Sequence, residues 1–172
     1  GLEEIIDLLN IKIKNYEIQL HIKGYLDFKY KKILMNRAEF NNCVNNLFFN
    51  EFGPWEDVPI TIRNCDIGLA FYDRNSIMTS TLGLGGSTKI FQYIGEGLPV
   101  IVDNDFKIKY LQDYDWAVGI DLNMNSIIKA LEFILSNYNE ISNKALNDFN
   151  NIFNCNQYYN TSFKHLFPAI SE

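Results

Sequence analysis

The stretch Gly83-Leu84-Gly85-Gly86-Ser87-Thr88-Lys89 has the residue types and spacing that could do chemistry. Its glycines permit positive φ and let the backbone approach a ligand more closely than a Cβ would allow. Ser87 is placed as the N-cap of a helix, and Lys89 falls in that helix's first turn. The first N–H groups of a helix have no intrahelical partner, so a diphosphate there would meet amide dipoles and one ammonium. Lys89, Gln92 and Glu96 are spaced by three and four and share a helix face, while Ile90, Phe91 and Ile94 line another for packing. The competing reading is an ordinary glycine turn ahead of an ordinary α/β helix.

The familiar phosphate motifs fit imperfectly. A P-loop needs Lys followed by Ser or Thr, whereas Ser87 and Thr88 precede Lys89. A dinucleotide fingerprint needs a third glycine where Thr88 stands, and it should follow directly on a strand. Here about ten residues of loop lie between the apolar run Ile67 to Tyr72 and Gly83. Asp103, about twenty residues on, matches the ribose-binding acid of that fingerprint, which keeps an NAD-type site as an alternative.

Elements that could position such a loop alternate along the chain. Helical spacing marks Leu2 to Leu9 and Lys29 to Phe40, with a turn or two over Val58 to Asn64. Tyr16 to Ile22 alternates as a strand, and Asn46 to Asn50 carries the apolar core Leu47-Phe48-Phe49. Asp66 to Tyr72, Leu98 to Val102 and Trp116 to Ile120 are apolar runs of strand length, separated by the Lys89 helix and a short helical stretch at Lys107 to Gln112. Two amphipathic helices follow, one on Ile127, Ala130, Leu131 and Ile134, the other on Ile141, Ala145, Phe149 and Ile152. The predicted fold is α/β: a Rossmann-like, doubly wound parallel sheet with helices on both faces and a helical C-terminal tail, forming one domain over 1–172. The first element is a helix, so the strand that normally leads into it is expected outside this chain, which reads as part of a longer protein.

Composition sets the bounds. The chain has 172 residues, 47% of them hydrophobic and 15% aromatic, enough for a sizeable core. A formal charge of -6 disfavours nucleic acid as a partner, because no basic stripe answers a phosphate backbone. Lys29, Lys31 and Lys32 form only a small cluster, read as a solvated helix face. The three cysteines, Cys43, Cys65 and Cys155, have neither metal-ligand nor C-x-x-C spacing, so reduced thiols in a cytoplasmic setting are expected. No apolar run approaches the roughly 20 residues of a transmembrane segment.

The order Cys65-Asp66-Ile67-Gly68-Leu69-Ala70, a variable loop, Ser87-Thr88-Lys89-Ile90-Phe91-Gln92-Tyr93 and Gly97-Leu98-Pro99-Val100-Ile101 resembles the C-terminal, donor-binding half of GT-B glycosyltransferases. The likeness is greatest to the retaining group described as family 4 or group 1, and it extends over nearly the whole chain. It implies that Gly85, Gly86, Ser87, Thr88 and Lys89 hold the diphosphate of a nucleotide-sugar donor. It implies Gln92 at the ribose, and Phe52 and Trp55, in the loop after a strand, as candidates for holding the nucleobase. The substrate is then a nucleotide-diphosphate sugar, with no separate cofactor and no metal. The acceptor glycan would be held by an N-terminal half that this chain lacks, and a peripheral membrane association stays open for the longer protein.

The chain departs from that pattern at Leu84 and Gln92, where many relatives have two glutamates contacting sugar and ribose. Gln92 can hydrogen-bond ribose hydroxyls; Leu84 cannot replace a carboxylate. The basic phosphate ligands that relatives carry after their first strand fall before Gly1. Among weaker constellations, Asp103-Asn104-Asp105 and Asp113-Tyr114-Asp115 match a cation-binding D-x-D, though turns favour Asp and Asn in any case. His21 and His165 have no partner at suggestive spacing, and neither Ser80 nor Ser87 sits in a G-x-S-x-G elbow. Arg74 follows the strand at Asp66 to Tyr72, near where a donor would lie. Catalysis would consist of electrostatic stabilisation of the leaving diphosphate by loop amides and Lys89. A nucleotide-sugar epimerase of the same architecture and a non-enzymatic nucleotide-binding module are the alternatives.

Overall fold

The computed structural model describes residues 1–51, 53–72 and 87–153. Helix α1 (Leu2–Ile6) leads into a hairpin of β1 (Lys12–Ile13) and β2 (Tyr16–Glu17). Lys14 and Asn15 make its two-residue loop with φ of 49° and 70°, the left-handed pair that matches the twist of an antiparallel ribbon. The expected single strand from Tyr16 to Ile22 is therefore divided: its first residues close the hairpin, and β3 (Leu20–Lys23) starts a separate parallel pair.

Helix α2 (Phe28–Phe40) starts where the Asp27 carboxylate accepts from the backbone N–H groups of Lys29 and Tyr30, at 2.9 and 3.2 Å. It returns the chain to β4 (Leu47–Asn50), which pairs in parallel with β3, Leu20 opposite Leu47. Helix α3 (Asp57–Arg63) then connects to β5 (Gly68–Ala70), which begins a second parallel sheet. Helix α4 (Thr88–Gly95), β6 (Val100–Asp103) and β7 (Ala117–Ile120) follow, in the order β5-β6-β7. Between β6 and β7 a helical turn at Asn104–Phe106 runs into the π-helical segment Lys107–Leu111. Two helices end the described chain, α5 (Met124–Ser136), capped by the Asn123 side chain, and α6 (Tyr138–Asn151).

Strand β6 shows why an uninterrupted apolar run reads as parallel sheet. All four of its residues are buried. Ile101 joins a cluster with Ile127 and Ile134 of α5, whereas Val100 and Val102 join Ile90 and Ile94 of α4 and Ile141 of α6. Successive side chains leave a strand on opposite faces, so both faces of β6 need an apolar cover, and these helices provide it. The mixed α/β fold with parallel sheets agrees with the alternation read from the sequence.

Helix α4 is stopped by geometry rather than by charge. Gly97 takes φ +75°, its N–H donates to the Ile94 carbonyl at 3.0 Å, and the Leu98 N–H donates to the Tyr93 carbonyl at 3.0 Å. That pair of bonds satisfies the last carbonyls and turns the chain into Pro99 and β6. The expected helix, its end and the following strand are thus one locally determined unit.

Candidate functional site

A cavity of about 1190 Å³ opens among α1, β3, α3, β5 and α4. Lys23 and Gly24 at the carboxyl end of β3, Gly53 and Trp55 after β4, and Lys89 and Gln92 of α4 all contribute to its wall. Of the residues that sequence singles out, Trp55, Lys89 and Gln92 are therefore brought to one cavity. Trp55 is largely exposed. Glu96, on the same helical face, is engaged elsewhere: Arg63 of α3 grips its carboxylate with two bonds of 2.7 and 3.0 Å. Gly85, Gly86 and Phe52, with Leu84 and Arg74, lie outside the described residues.

The start of α4 differs in one respect from the expected cap. Ser87 holds the N-cap position, yet its side chain caps no helix amide; its buried hydroxyl is shared with that of Tyr72. The hydroxyl of Tyr72 competes successfully for a group that otherwise would turn to the helix amides. Thr88 is exposed. The Lys89 ammonium lies over the Tyr72 ring, 4.4 Å from its centroid, and donates to the Phe71 carbonyl at 3.4 Å. Burial pushes the Lys89 pKa below the ordinary lysine value, since the charged form loses water; among the described residues a carbonyl and a ring face meet it.

Tyr72 and Tyr93 are the residues that sequence reasoning missed. Tyr93 is four residues after Lys89, so helical spacing alone puts it beside the lysine. Its hydroxyl donates to the Leu69 carbonyl at 3.4 Å, and burial pushes its pKa up to about 12, which keeps the proton in place. Tyr72 carried no signal, because one aromatic residue after a strand is ordinary.

Several other groups singled out in the sequence have structural partners among the described residues. Asp103 is buried and accepts from the Asp105 N–H at 2.9 Å, capping the turn that follows β6. Asp115 pairs with Lys144 at 2.9 Å. His21 stacks on Phe48 with centroids 4.6 Å apart. Cys43 is buried against the carbonyls of Ile6 and Ala38. Among the described residues no group of three or more His, Cys, Asp or Glu is arranged to hold a metal ion, and no helix is long and apolar enough to cross a membrane.

No family model, curated protein or solved structure matches this chain. Its chemistry must therefore be argued from the site itself. An ammonium, an amide side chain and an exposed indole are among the groups lining this cavity. Such a set can hold an anion, hydrogen-bond a polyol and stack on a flat ring.

Proposed function

We infer that this chain binds the nucleoside diphosphate of a nucleotide-sugar donor, as the donor half of a GT-B-type glycosyltransferase built on a Rossmann-like, doubly wound sheet. The observation that carries the reading is the shared cavity of Lys89, Gln92 and Trp55. In open parallel sheets, ligands bind beyond the carboxyl ends of the strands, where loop amides and helix N-termini converge. Lys89 would meet the diphosphate, Gln92 the ribose hydroxyls and Trp55 the base. As the bond from sugar to diphosphate breaks, negative charge grows on the leaving oxygens. A preorganised ammonium and oriented amides stabilise that charge more than they stabilise the bound donor. An acceptor glycan completes the proposed reaction, with no metal or further cofactor called for.

A non-enzymatic binding module is the second reading, favoured by the Lys89 ammonium being held already by Phe71 and Tyr72 within the protein. Titration of the chain with UDP, GDP and inorganic pyrophosphate, followed by amide chemical shifts, tests binding. Shifts centred on Lys89, Gln92 and Trp55 that saturate with one nucleotide support the reading. Absence of saturable shifts with any of the three sinks both versions of it. Donor consumption with glycoside formation separates the transferase from the module.

A further inference from the structure

Helix α2 has two unlike faces. Leu34 and Ala38 are buried in the core, and Arg37 reaches across to Asp7 of the first helical segment. On the half of the helix turned away from that core, Phe28 and Phe40 are 79% and 86% exposed, and Ile33 is half exposed between them. Three large apolar side chains on the outer half of one helix make a patch rather than a scatter, and such patches mark contact surfaces.

The charges on the same face narrow the kind of partner. Lys29, Lys31 and Lys32 read in sequence as one solvated cluster, but the structure divides them. Lys31 turns its ammonium over the Phe49 ring, 4.8 Å from the centroid. Lys29 and Lys32 stay on the outer half with Glu39, and none of these three has an ion pair among the described residues. A surface for anionic lipid gathers lysines without an acid among them. This face carries both signs and therefore suits a partner that carries both.

The order of residue types supplies that partner. Counted outward from Leu34, Lys32 and Asn36 stand two residues away, Lys29 and Glu39 five, and Phe28 and Phe40 six. Aromatic residues thus occupy mirrored places, and opposite charges occupy mirrored places.

We propose that this face pairs two copies of the chain, α2 lying antiparallel on α2 about a two-fold axis level with Leu34. In such an isologous contact residue i of one copy meets j of the other, and the reverse. The antiparallel arrangement sets Lys29 of one copy level with Glu39 of the other and Phe28 level with Phe40, each twice. The two Lys32 side chains are about 6 Å apart along the axis, and each is level with an Asn36 amide oxygen that can accept from it. A parallel pair would instead oppose Lys29 to Lys29 and Glu39 to Glu39, which like charge disfavours. A helix of 13 residues is only about 20 Å long, so the contact lies at the small end of specific interfaces and the dimer is weak, with a Kd of about 10–300 μM. No residue of α2 lines the cavity assigned to the donor, so the dimer stands or falls apart from that reading.

Sedimentation equilibrium of the full chain from about 0.02 to 0.5 mM, without nucleotide, tests this. The parent should pass from one copy toward two over that range. Lys29→Glu and Glu39→Lys each turn two attractive pairs into two repulsive ones and should each weaken association about tenfold. The combined Lys29→Glu/Glu39→Lys chain restores both pairs in reverse and should associate within about threefold of the parent. Phe28→Ser with Phe40→Ser should leave a monomer. All four positions are exposed, and an unchanged far-ultraviolet circular dichroism spectrum in each variant verifies the fold. A parent that stays monomeric at 0.5 mM, roughly the top of that range, would overturn the proposal, as would a combined variant no better than the single ones. So would a monomeric parent that binds vesicles of phosphatidylserine and phosphatidylcholine, more tightly after Glu39→Lys, because the face would then belong to an anionic lipid surface.

Discussion

Lys89 donates to the carbonyl of Phe71 across 3.4 Å, joining the first turn of α4 to the carboxyl end of β5. Tyr72, the next residue, supplies the ring beneath the same ammonium and the hydroxyl that Ser87 shares. Among the described residues, one aromatic ring and one carbonyl thereby meet the ammonium, and Ser87 steadies the ring through its hydroxyl. Burial of this ammonium is what lowers the Lys89 pKa below the ordinary lysine value.

The first prediction concerns pH. A lysine whose pKa falls on folding makes the folded state bind fewer protons than the unfolded chain between the two values. Its charged form therefore costs stability below the folded pKa. That cost is relieved as pH rises through the folded pKa toward the ordinary value of 10.5. Relative to Lys89→Met, the parent chain should be less stable at pH 7, by roughly 1 kcal/mol, and should close the gap at alkaline pH. Denaturant midpoints of the two proteins compared from pH 7 to pH 10.5 check this. A gap that does not change with pH would place the ammonium in water.

The Gly97 conformation gives a second prediction. A side chain at φ +75° is strained, and a Cβ would also lie 3.3 Å from Ser142 Oγ. Gly97→Ala should lower stability by about 1 kcal/mol, or roughly 2–4 °C in midpoint for a chain of this size. Nucleotide binding should survive, because the change lies at the end of α4 remote from Lys89. An unchanged midpoint would show that α4 does not depend on this stop.

How much of this was legible in sequence depends on the range of the forces involved. Helix α5 was, because Ile127, Ala130 and Ile134 recur at the helical period and all three are buried. Strand β6 was, because Val100, Ile101 and Val102 have cover on both faces. The hairpin at Lys14 and Asn15 was not: a left-handed pair without glycine leaves no strong turn signature, so β2 and β3 merged into one alternating run. For the site, the common face of Lys89 and Gln92 follows from helical spacing, and both line the cavity. The diversion of Ser87 to Tyr72 does not follow, since it depends on a contact between residues fifteen apart. The division of the strands into two parallel sheets among the described residues is likewise a property of tertiary pairing, which local periodicity cannot encode.

A third prediction tests the clamp between α1 and α2. Arg37 holds the Asp7 carboxylate through two bonds of 2.7 and 2.5 Å, and Asn41 adds one of 2.8 Å. The Arg37 guanidinium, helped by the Asn41 amide, outweighs burial and draws the Asp7 pKa below the ordinary carboxyl value of 3.8. A depressed carboxylate stabilises the fold above its unfolded pKa and loses that contribution as pH falls through the folded one. Asp7→Asn should therefore cost about 1 kcal/mol at pH 7, a modest figure for a partly solvated pair. The difference between the two proteins should vanish in acid, below the folded pKa of Asp7. Chemical denaturation of both from pH 7 down to pH 2 reads this, and a constant difference throughout would assign the loss to packing rather than charge.

The last prediction separates the two ligand contacts assigned to α4. Lys89 is assigned to the diphosphate, a charged contact worth about 1.5–3 kcal/mol, so Lys89→Ala should weaken both UDP and pyrophosphate by roughly ten- to a hundredfold. Gln92 is assigned to ribose hydroxyls through neutral hydrogen bonds of about 0.5–1.5 kcal/mol. Gln92→Ala should therefore weaken UDP about two- to tenfold and leave pyrophosphate unchanged. Lys144→Ala is the control, since Lys144 pairs with Asp115 and Glu140 and contributes nothing to the cavity wall. Calorimetric titration of the four proteins with the two ligands gives the pattern directly. Should Gln92→Ala weaken pyrophosphate as much as UDP, the amide touches phosphate, and the ribose must be sought elsewhere on the wall. Should Lys89→Ala leave both affinities intact, the ammonium stays with Phe71 and Tyr72, and the anion is held by something other than α4.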